Sequence, residues 1–503
     1  MPRATPTPQS EIVLHLGADM GFGLRRTDSN GRFGHAVVVG GSMAGLLAAR
    51  VLADHFERVT LIERDQLPDT PEYRVGVPQA RHAHALLTRG QLILEQLFPG
   101  ICDQLIDAGG VALDTARDLA WLTPAGWGTR FTSDLIAVST TRALLEWTVR
   151  RCLREHPEVR IRDGVAIRGL IRSADGSAIS GVRLASQTTE NIPADLVVDA
   201  TGRDSRLPEW LAWLRFPRPV ETTIDASLGY ASRILRLPSR VRLNASGVFV
   251  QAAPPEHPRG GALFPIEGNR WLVSLFGGGG HYPPTDEAGF LEFARTLRTP
   301  LIAQAIVSAD PLSDIVGTRA TANRRRHYEK LSGMPDGVIA LGDSVCAFNP
   351  VYGQGMSVAA IGAEVLDLSL RAQRPARRAG LVGFGRKFQR RLGRVINTPW
   401  SLATGEDYRY GNVKGPRPSW SVRLMHGYVD RLVAASTVNP SIRSGLMQVL
   451  GMMRPASLLF GPAMLGSVLL RNPAASVRPM ARPPRRPSRE LRISGPVASS
   501  ASR

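Results

Sequence analysis

The stretch "AVVVGGSMAGLLAARVLADHFERVTLIE", residues 36–63, constrains this chain more than any other. An apolar run from Ala36 to Val39 enters a glycine-rich turn, a helical pattern with small residues on one side follows, and a second apolar run, Val59 to Ile62, ends on Glu63. Unbroken apolar runs fit strands buried on both faces, and a helical crossover makes two such strands parallel. The stretch reads as a βαβ unit. Gly40 and Gly45 hold the first and third glycine places of a G-x-G-x-x-G turn, and Ser42 holds the second; Gly41, Met43 and Ala44 fill it. The first glycine turns the chain, the third lets helix meet strand, and the second lets backbone approach a pyrophosphate. Serine is the next smallest choice, and its hydroxyl can itself donate to a phosphate. Glu63 lies 18 residues past Gly45, close to the ~20 expected for an acid that binds a ribose hydroxyl. Together these features predict dinucleotide binding.

Two later stretches repeat the logic of a buried strand ending in small residues. In "ADLVVDATGRDSRLPEWL", residues 194–211, an apolar strand stops on Asp199 and passes into Ala200-Thr201-Gly202. In "IALGDSVCAFNPVYGQGMSVAA", residues 339–360, the strand stops on Gly342-Asp343, and a helix begins after Pro350 on Gly353-Gln354-Gly355-Met356. Ligands of parallel sheets bind outside the carboxyl ends of the strands. Asp343 there can accept from a sugar-alcohol hydroxyl. A helix start offers outward-pointing amides and partial positive charge, which suits a ring edge that becomes anionic on reduction. A flavin has both groups.

The three stretches resemble the flavoprotein monooxygenases of the para-hydroxybenzoate hydroxylase fold (class A, FAD-dependent). The runs "GVPQARHAHALL" (76–87), "TRALLEWTVR" (141–150), "PIEGNRWLVSL" (265–275) and "NRRRHYEKL" (323–331) resemble most the bacterial epoxidases of polyether-polyketide pathways. The resemblance implies an α/β fold: a Rossmann-like, GR2-type FAD-binding domain, an antiparallel β-sheet substrate domain and a C-terminal helical region. It implies FAD as cofactor, with NADPH or NADH as transient electron donor. It places Gly40, Ser42 and Gly45 at the pyrophosphate, Glu63 at the adenosine ribose, Arg64 near the adenine and Arg142 near the phosphates or ribityl chain. Gly342 and Asp343 would hold the ribityl chain, and Pro350 with Gly353 to Met356 the ring. The family's usual Asp-Gly pair is replaced here by Asp199-Ala-Thr-Gly202, so nicotinamide docking stays open. Arg81 and His84 fall in a loop beside the flavin; they either hydrogen-bond its edge or satisfy loop carbonyls. His82 and His84, at strand spacing, would face one side, but no third metal ligand accompanies them.

The implied reaction inserts one oxygen atom from dioxygen, activated at flavin C4a, into an apolar small molecule. An alkene gives an epoxide; an activated phenol gives a hydroxylated ring and calls for a base near the substrate. No base stands out in the β-rich segment, which favours the alkene. Residues 225–276 alternate aromatic and polar side chains like an antiparallel sheet, with Tyr230, Phe249, Phe264 and Phe276 as candidate pocket walls. A halogenase would need a W-x-W-x-I-P motif and a nearby lysine; "EWLAWL" lacks the pattern, and no lysine precedes Lys330. A prenyl double-bond reductase and a non-enzymatic escort of the GDP-dissociation-inhibitor kind remain rivals.

Residues 35–115, 136–224 and 316–375 are read as the FAD-binding domain, 116–135 and 225–315 as the substrate sheet, and 376–471 as a helical cap. Residues 1–34 are expected to be a loose extension and 472–503 a disordered tail rich in Arg, Pro and Ser. The formal charge of +19 comes almost wholly from arginine. No nucleic-acid motif accompanies it, so no nucleic-acid partner is expected; weak membrane-surface contact through the C-terminal helices is the alternative use of such charge. Three unpaired cysteines fit a cytoplasmic setting, and no apolar run reaches the ~20 residues a spanning helix needs.

Overall fold

The computed structural model describes residues 31–185, 190–373 and 380–469. The expected N-terminal extension and C-terminal tail therefore fall almost wholly outside the described residues. The chain opens with β1 (Phe33–Val39), α1 (Met43–His55) and β2 (Phe56–Ile62). After a 3-10 turn at Pro78–Arg81 come β3 (Leu119–Thr123), α2 (Arg142–Arg154), β4 (Val159–Arg162) and β5 (Leu196–Asp199). Then follow β6 (Gly229–Arg236), β7 (Gly247–Val250), β8 (Arg259–Ile266), β9 (Arg270–Gly277) and β10 (Val338–Ala340). The chain ends in helices α3 (Gly355–Gln373), α4 (Phe384–Asp407), α5 (Trp420–Ser436), α6 (Pro440–Leu450) and α7 (Pro462–Leu469).

β1 starts two residues inside the expected N-terminal extension. Phe33 is drawn into the core against Phe56, ring centroids 5.2 Å apart, and the His35 imidazole bonds Thr60 Oγ1 at 2.9 Å and the Pro193 carbonyl at 2.7 Å. A strand edge with those partners does not fray.

The first sheet is parallel, in the order β10-β5-β1-β2-β4. Its register decides where chemistry can sit. Val39 pairs with Asp199, and Asp199 with Ala340. Three strands thus end side by side, and the three small-residue loops that follow them emerge at one edge of the sheet. The turn after β1 brings helix and strand into direct backbone contact: a Cβ at Gly45 would lie 1.7 Å from the Gly40 carbonyl oxygen, and one at Gly40 (φ +105°) would lie 2.4 Å from Ala200 O. Gly342 (φ +64°) closes against Ala44 in the same way.

The second sheet is mostly antiparallel, with β6, β9, β8, β7 and β3 in spatial order. One face packs Leu263, Val273 and Leu275 under the helices Glu287–Arg295 and Leu301–Ile306. Alternation sends Tyr230, Ser232, Phe249, Phe264, Ser274 and Phe276 to the other face. The short strand Val316–Thr318 pairs with β6, so this sheet extends past the boundary at 315 read from the sequence. Three residues are too few to show an alternation. α4 packs on α3, while α5 to α7 form their own small core from Leu432, Ile442, Leu446, Val449, Leu459 and Val468. No helix among the described residues is long and apolar enough to cross a membrane.

Gly45→Ala is expected to lower the thermal midpoint sharply, because its methyl group would overlap a carbonyl that cannot withdraw without breaking β1. Gly427→Ala, mid-helix in α5 with nothing within 4 Å, is expected to stabilise by about 0.5–1 kcal/mol. Thermal unfolding of the pair checks both signs.

Candidate active site

Gly41 N–H donates to Glu63 Oε2 at 2.6 Å, which folds the end of β2 over the first turn. Glu63 Oε1 accepts from Asp65 N–H, and Arg74 Nη1 lies 3.1 Å from Oε2. A carboxylate offers about four acceptor positions, so one remains for a ribose hydroxyl. Arg64, expected near an adenine, is exposed and only 3.8 Å from Asp65. Ser42 caps α1 without a side-chain cap bond. Its Oγ donates to Glu146 Oε2 at 2.9 Å and accepts from Arg142 Nη2 at 2.9 Å. The hydroxyl hydrogen expected to reach a phosphate is thus held by Glu146, and the cations of the neighbourhood are Arg142 and Arg74.

Arg74 and Glu146 escaped the sequence reading. Arg74 bonds Glu146 Oε1 through Nη2 at 2.7 Å and Asp65 through Nη1 at 3.1 Å. Burial pushes the Glu146 carboxyl up, but Arg142, Arg74 and the Ser42 hydroxyl outweigh it and hold it below the ordinary carboxylate range. Arg142 and Glu146 stand four apart on α2, a spacing that marks a helical ion pair; nothing local pointed to Arg74, 72 residues away from Glu146.

The loops after β5 and β10 join this turn. Asp199 accepts from its own loop, Thr201 and Ser205, and burial raises its pKa. Gly202 N–H donates to Ser344 Oγ at 2.9 Å, and the Arg203 guanidinium to the Phe348 carbonyl. Asp343 has no hydrogen-bond partner among the described residues. Burial pushes its carboxyl up, while Arg203, Arg142 and Arg324 pull it down. The Cβ position of Gly355, first residue of the 19-residue α3, would lie 3.9 Å from Asp343 Oδ1. Gln354 is buried, and its Oε1 has no partner. Pro350 opens a 3-10 turn that ends on left-handed Gly353 (φ +63°), and Met356 is buried behind it.

Residues 82–87 lie along this loop: Leu87 N–H donates to Ser357 Oγ at 2.9 Å, and Gly353 meets Ala85. His82 follows the 3-10 turn as its C-cap, with extended backbone (φ −96°, ψ 170°). His82 Nδ1 bonds Ser232 Oγ at 2.8 Å, Ser232 bonds Ser274 at 2.6 Å, and Ala83 N–H donates to Ser274. His84 Nδ1 bonds the His82 carbonyl at 2.8 Å. Burial lowers the His82 pKa to about 4; burial with the Arg142 charge lowers that of His84 to about 3. Arg81 is exposed and stacks over Tyr73 at 5.0 Å, so the structure does not bring it to the loop.

Of the four candidate wall residues, Tyr230, Phe249 and Phe276 form one aromatic cluster with rings 5.8–6.0 Å apart, and Trp121 stands edge-on to Phe249. Phe264 shares their face but packs beside Gly247. Tyr230 OH donates to Asn349 Oδ1 at 3.3 Å, tying the sheet to the loop. Asn349 Nδ2 donates in turn to Asp407 Oδ1 at 3.1 Å, as do Tyr352 OH at 2.6 Å and, on Oδ2, Asn323 Nδ2 at 2.6 Å. Asp407, at the end of α4, is fully buried. That desolvation raises its pKa from 3.8 to about 7, against the three donors that lower it and with Glu406 that raises it.

The donor set fits a flavin dinucleotide: a glycine turn without room for a Cβ, two buried arginines, an unpartnered carboxylate and a helix start beside it. The model of the FAD-binding domain family matches residues 35–372. This chain belongs to that family. It is 31% identical over 454 residues to protein Rv3254 of Mycobacterium tuberculosis, covering 87% of this chain and 94% of that one. Among solved structures, the flavin-dependent brominase Bmp2 superposes with TM-score 0.60 at 13% identity, over 83% of this chain and 93% of its own. The p-nitrophenol 4-monooxygenase PnpA of Pseudomonas putida DLL-E4 gives 0.59 at 15%, over 86% and 99%. The fold is shared with flavin-dependent monooxygenases and halogenases.

A carboxyl whose pKa is higher folded than unfolded favours folding at low pH, an advantage lost as pH rises through the folded value. Asp407 therefore contributes a fall in stability between about pH 4 and 7. Asp407→Asn is expected to flatten that segment of a urea-unfolding profile. An unchanged slope would show that Asp407 titrates normally.

Proposed function

We propose that this protein is an NAD(P)H- and dioxygen-dependent monooxygenase that epoxidises an alkene in an apolar small molecule of polyketide or terpenoid type. One observation carries the reading: an apolar aromatic face, Tyr230, Phe249 and Phe276, stands against the loop 349–356, in which Gln354 Oε1 has no partner among the described residues and beside which lies the Asp343 carboxylate. Bound FAD would supply electron transfer from the nicotinamide and activation of dioxygen. Gly40 to Gly45, Glu63, Arg74 and Arg142 would hold its diphosphate half. Asp343 would accept from the ribityl hydroxyls, and the amides at the start of α3 would face the ring edge, where they favour negative charge. The aromatic face orients the substrate and keeps water out.

The choice of alkene over phenol rests on the bases within reach. A phenol has a pKa near 10. Imidazoles at about 4 and 3 are poor acceptors for such a proton. Asp407, the better matched group at about 7, already receives three donors. Aromatic hydroxylation is the second reading, and Asp407 is what favours it, through Asn349 and Tyr230. Halogenation is not favoured: Trp210 is buried in the main core and Trp213 lies exposed, and "EWLAWL" lacks the halogenase motif.

Turnover of the NAD(P)H-reduced enzyme with polyenes and prenylated aromatics under labelled dioxygen tests this. The expected product carries one labelled oxygen and reacts with a thiol, as an epoxide does. A labelled product inert to thiol would move the reading to hydroxylation. Reduction of a double bond without oxygen, with stoichiometric NAD(P)H, would overturn it in favour of a reductase.

A further inference from the structure

We propose that the helices α5 to α7 form a docking face for an anionic phospholipid surface, on which the protein lies without crossing it. α5 has 17 residues, of which only Leu432 and Ser436 are buried. A helix with so little cover normally has its apolar side packed elsewhere. Trp420 and Leu424 are 73% and 70% exposed. They stand four apart, so they share a stripe that runs on to Tyr428. The Tyr428 ring lies 5.2 Å from Phe460, which is itself exposed beside Leu458. Trp420, Leu424, Tyr428, Phe460 and Leu458 thus make one apolar strip across α5 and the 3-10 turn Ala456–Phe460.

Charge selects the occupant. From Arg417 to the C-terminus the chain carries thirteen arginines against two acids, Asp430 and Glu490. Asp430 is taken up by Arg409 at 2.9 Å. Arg417, Arg423 and Arg431 lie on or next to α5 and are exposed. Beside the strip is a cleft of about 770 Å³ lined by Ser441, Ser444, Gln448, Ser457 and Arg454. Its hydroxyls and guanidinium suit a phosphate headgroup. The described chain ends on exposed Leu469 in α7, so residues 470–503, with eight of those arginines, begin at this module. A second copy of this face would set cation against cation. An apolar strip with tryptophan, rimmed by arginine and followed by a basic segment, matches the chemistry of an anionic lipid interface. An apolar substrate would be concentrated at that surface.

The test is flotation of the full-length protein with vesicles of phosphatidylcholine alone and of phosphatidylcholine with phosphatidylglycerol. The protein is expected to float with the anionic vesicles at low salt, and less at high salt or without phosphatidylglycerol. Trp420→Ser with Leu424→Ser should reduce the bound fraction about tenfold, with thermal midpoint and flavin content unchanged. A chain shortened after Leu469 should lose part of the binding. The proposal is overturned if the full chain fails to float. It is also overturned if the double variant binds like the parent, so that the tail alone binds, or if the parent is a dimer that the double variant makes monomeric.

Discussion

The contact between Gly45 and the carbonyl of Gly40 sets the rest of the site. With no Cβ between them, α1 starts hard against the end of β1, where its first amides face outward. The same closeness leaves Ala44 against Gly342 and Gly40 against Ala200, so the loops after β5 and β10 are drawn to the same place. The register of three parallel strands then makes one crevice from sequence segments about 140 to 160 residues apart. A side chain at Gly45 would separate these loops before it touched any ligand.

Electrostatics in the crevice are arranged around missing partners. Near the turn, two buried arginines meet two buried glutamates, Arg74 and Arg142 with Glu63 and Glu146. Removing one member of such a set leaves a buried charge alone, which is costly. A diphosphate entering here brings anions to guanidiniums that have donors beyond those Glu146 uses, since each guanidinium has five. At the other end, Gln354 Oε1 has no partner among the described residues, and Asp343 accepts no hydrogen bond from them. Cations at one end and acceptors at the other match a ligand with a diphosphate and a hydroxylated chain.

What could be read from the sequence was local. Gly40, Gly45, Glu63, Asp343 and Gly353 to Met356 each sit inside a short pattern whose backbone geometry is set by near neighbours. The alternation in residues 225–276 announced the second sheet and nominated Tyr230, Phe249, Phe264 and Phe276, which the strand registers then place on one face. Contacts across distance were not legible. Arg74 reaches Glu146 across 72 residues, His82 reaches Ser232 across 150, and Asp407 reaches Asn323 across 84. None of these pairs has a spacing that a one-dimensional pattern records. In α5 the exposed Trp420 and Leu424 look in sequence like any buried helical stripe.

The central claim is that one crevice grips a flavin dinucleotide at both ends. Titration of the apoprotein with FAD and with FMN tests it most directly, because FMN keeps the ring, ribityl chain and one phosphate but lacks the AMP half. Each charge-assisted bond lost is worth roughly 1.5–3 kcal/mol, and ~1.4 kcal/mol is a decade of affinity. Losing two such bonds, FMN should bind at least about 100-fold more weakly than FAD. Equal affinities for the two would contradict the account, since the turn at Gly40 to Gly45, Glu63 and the two arginines would then hold nothing.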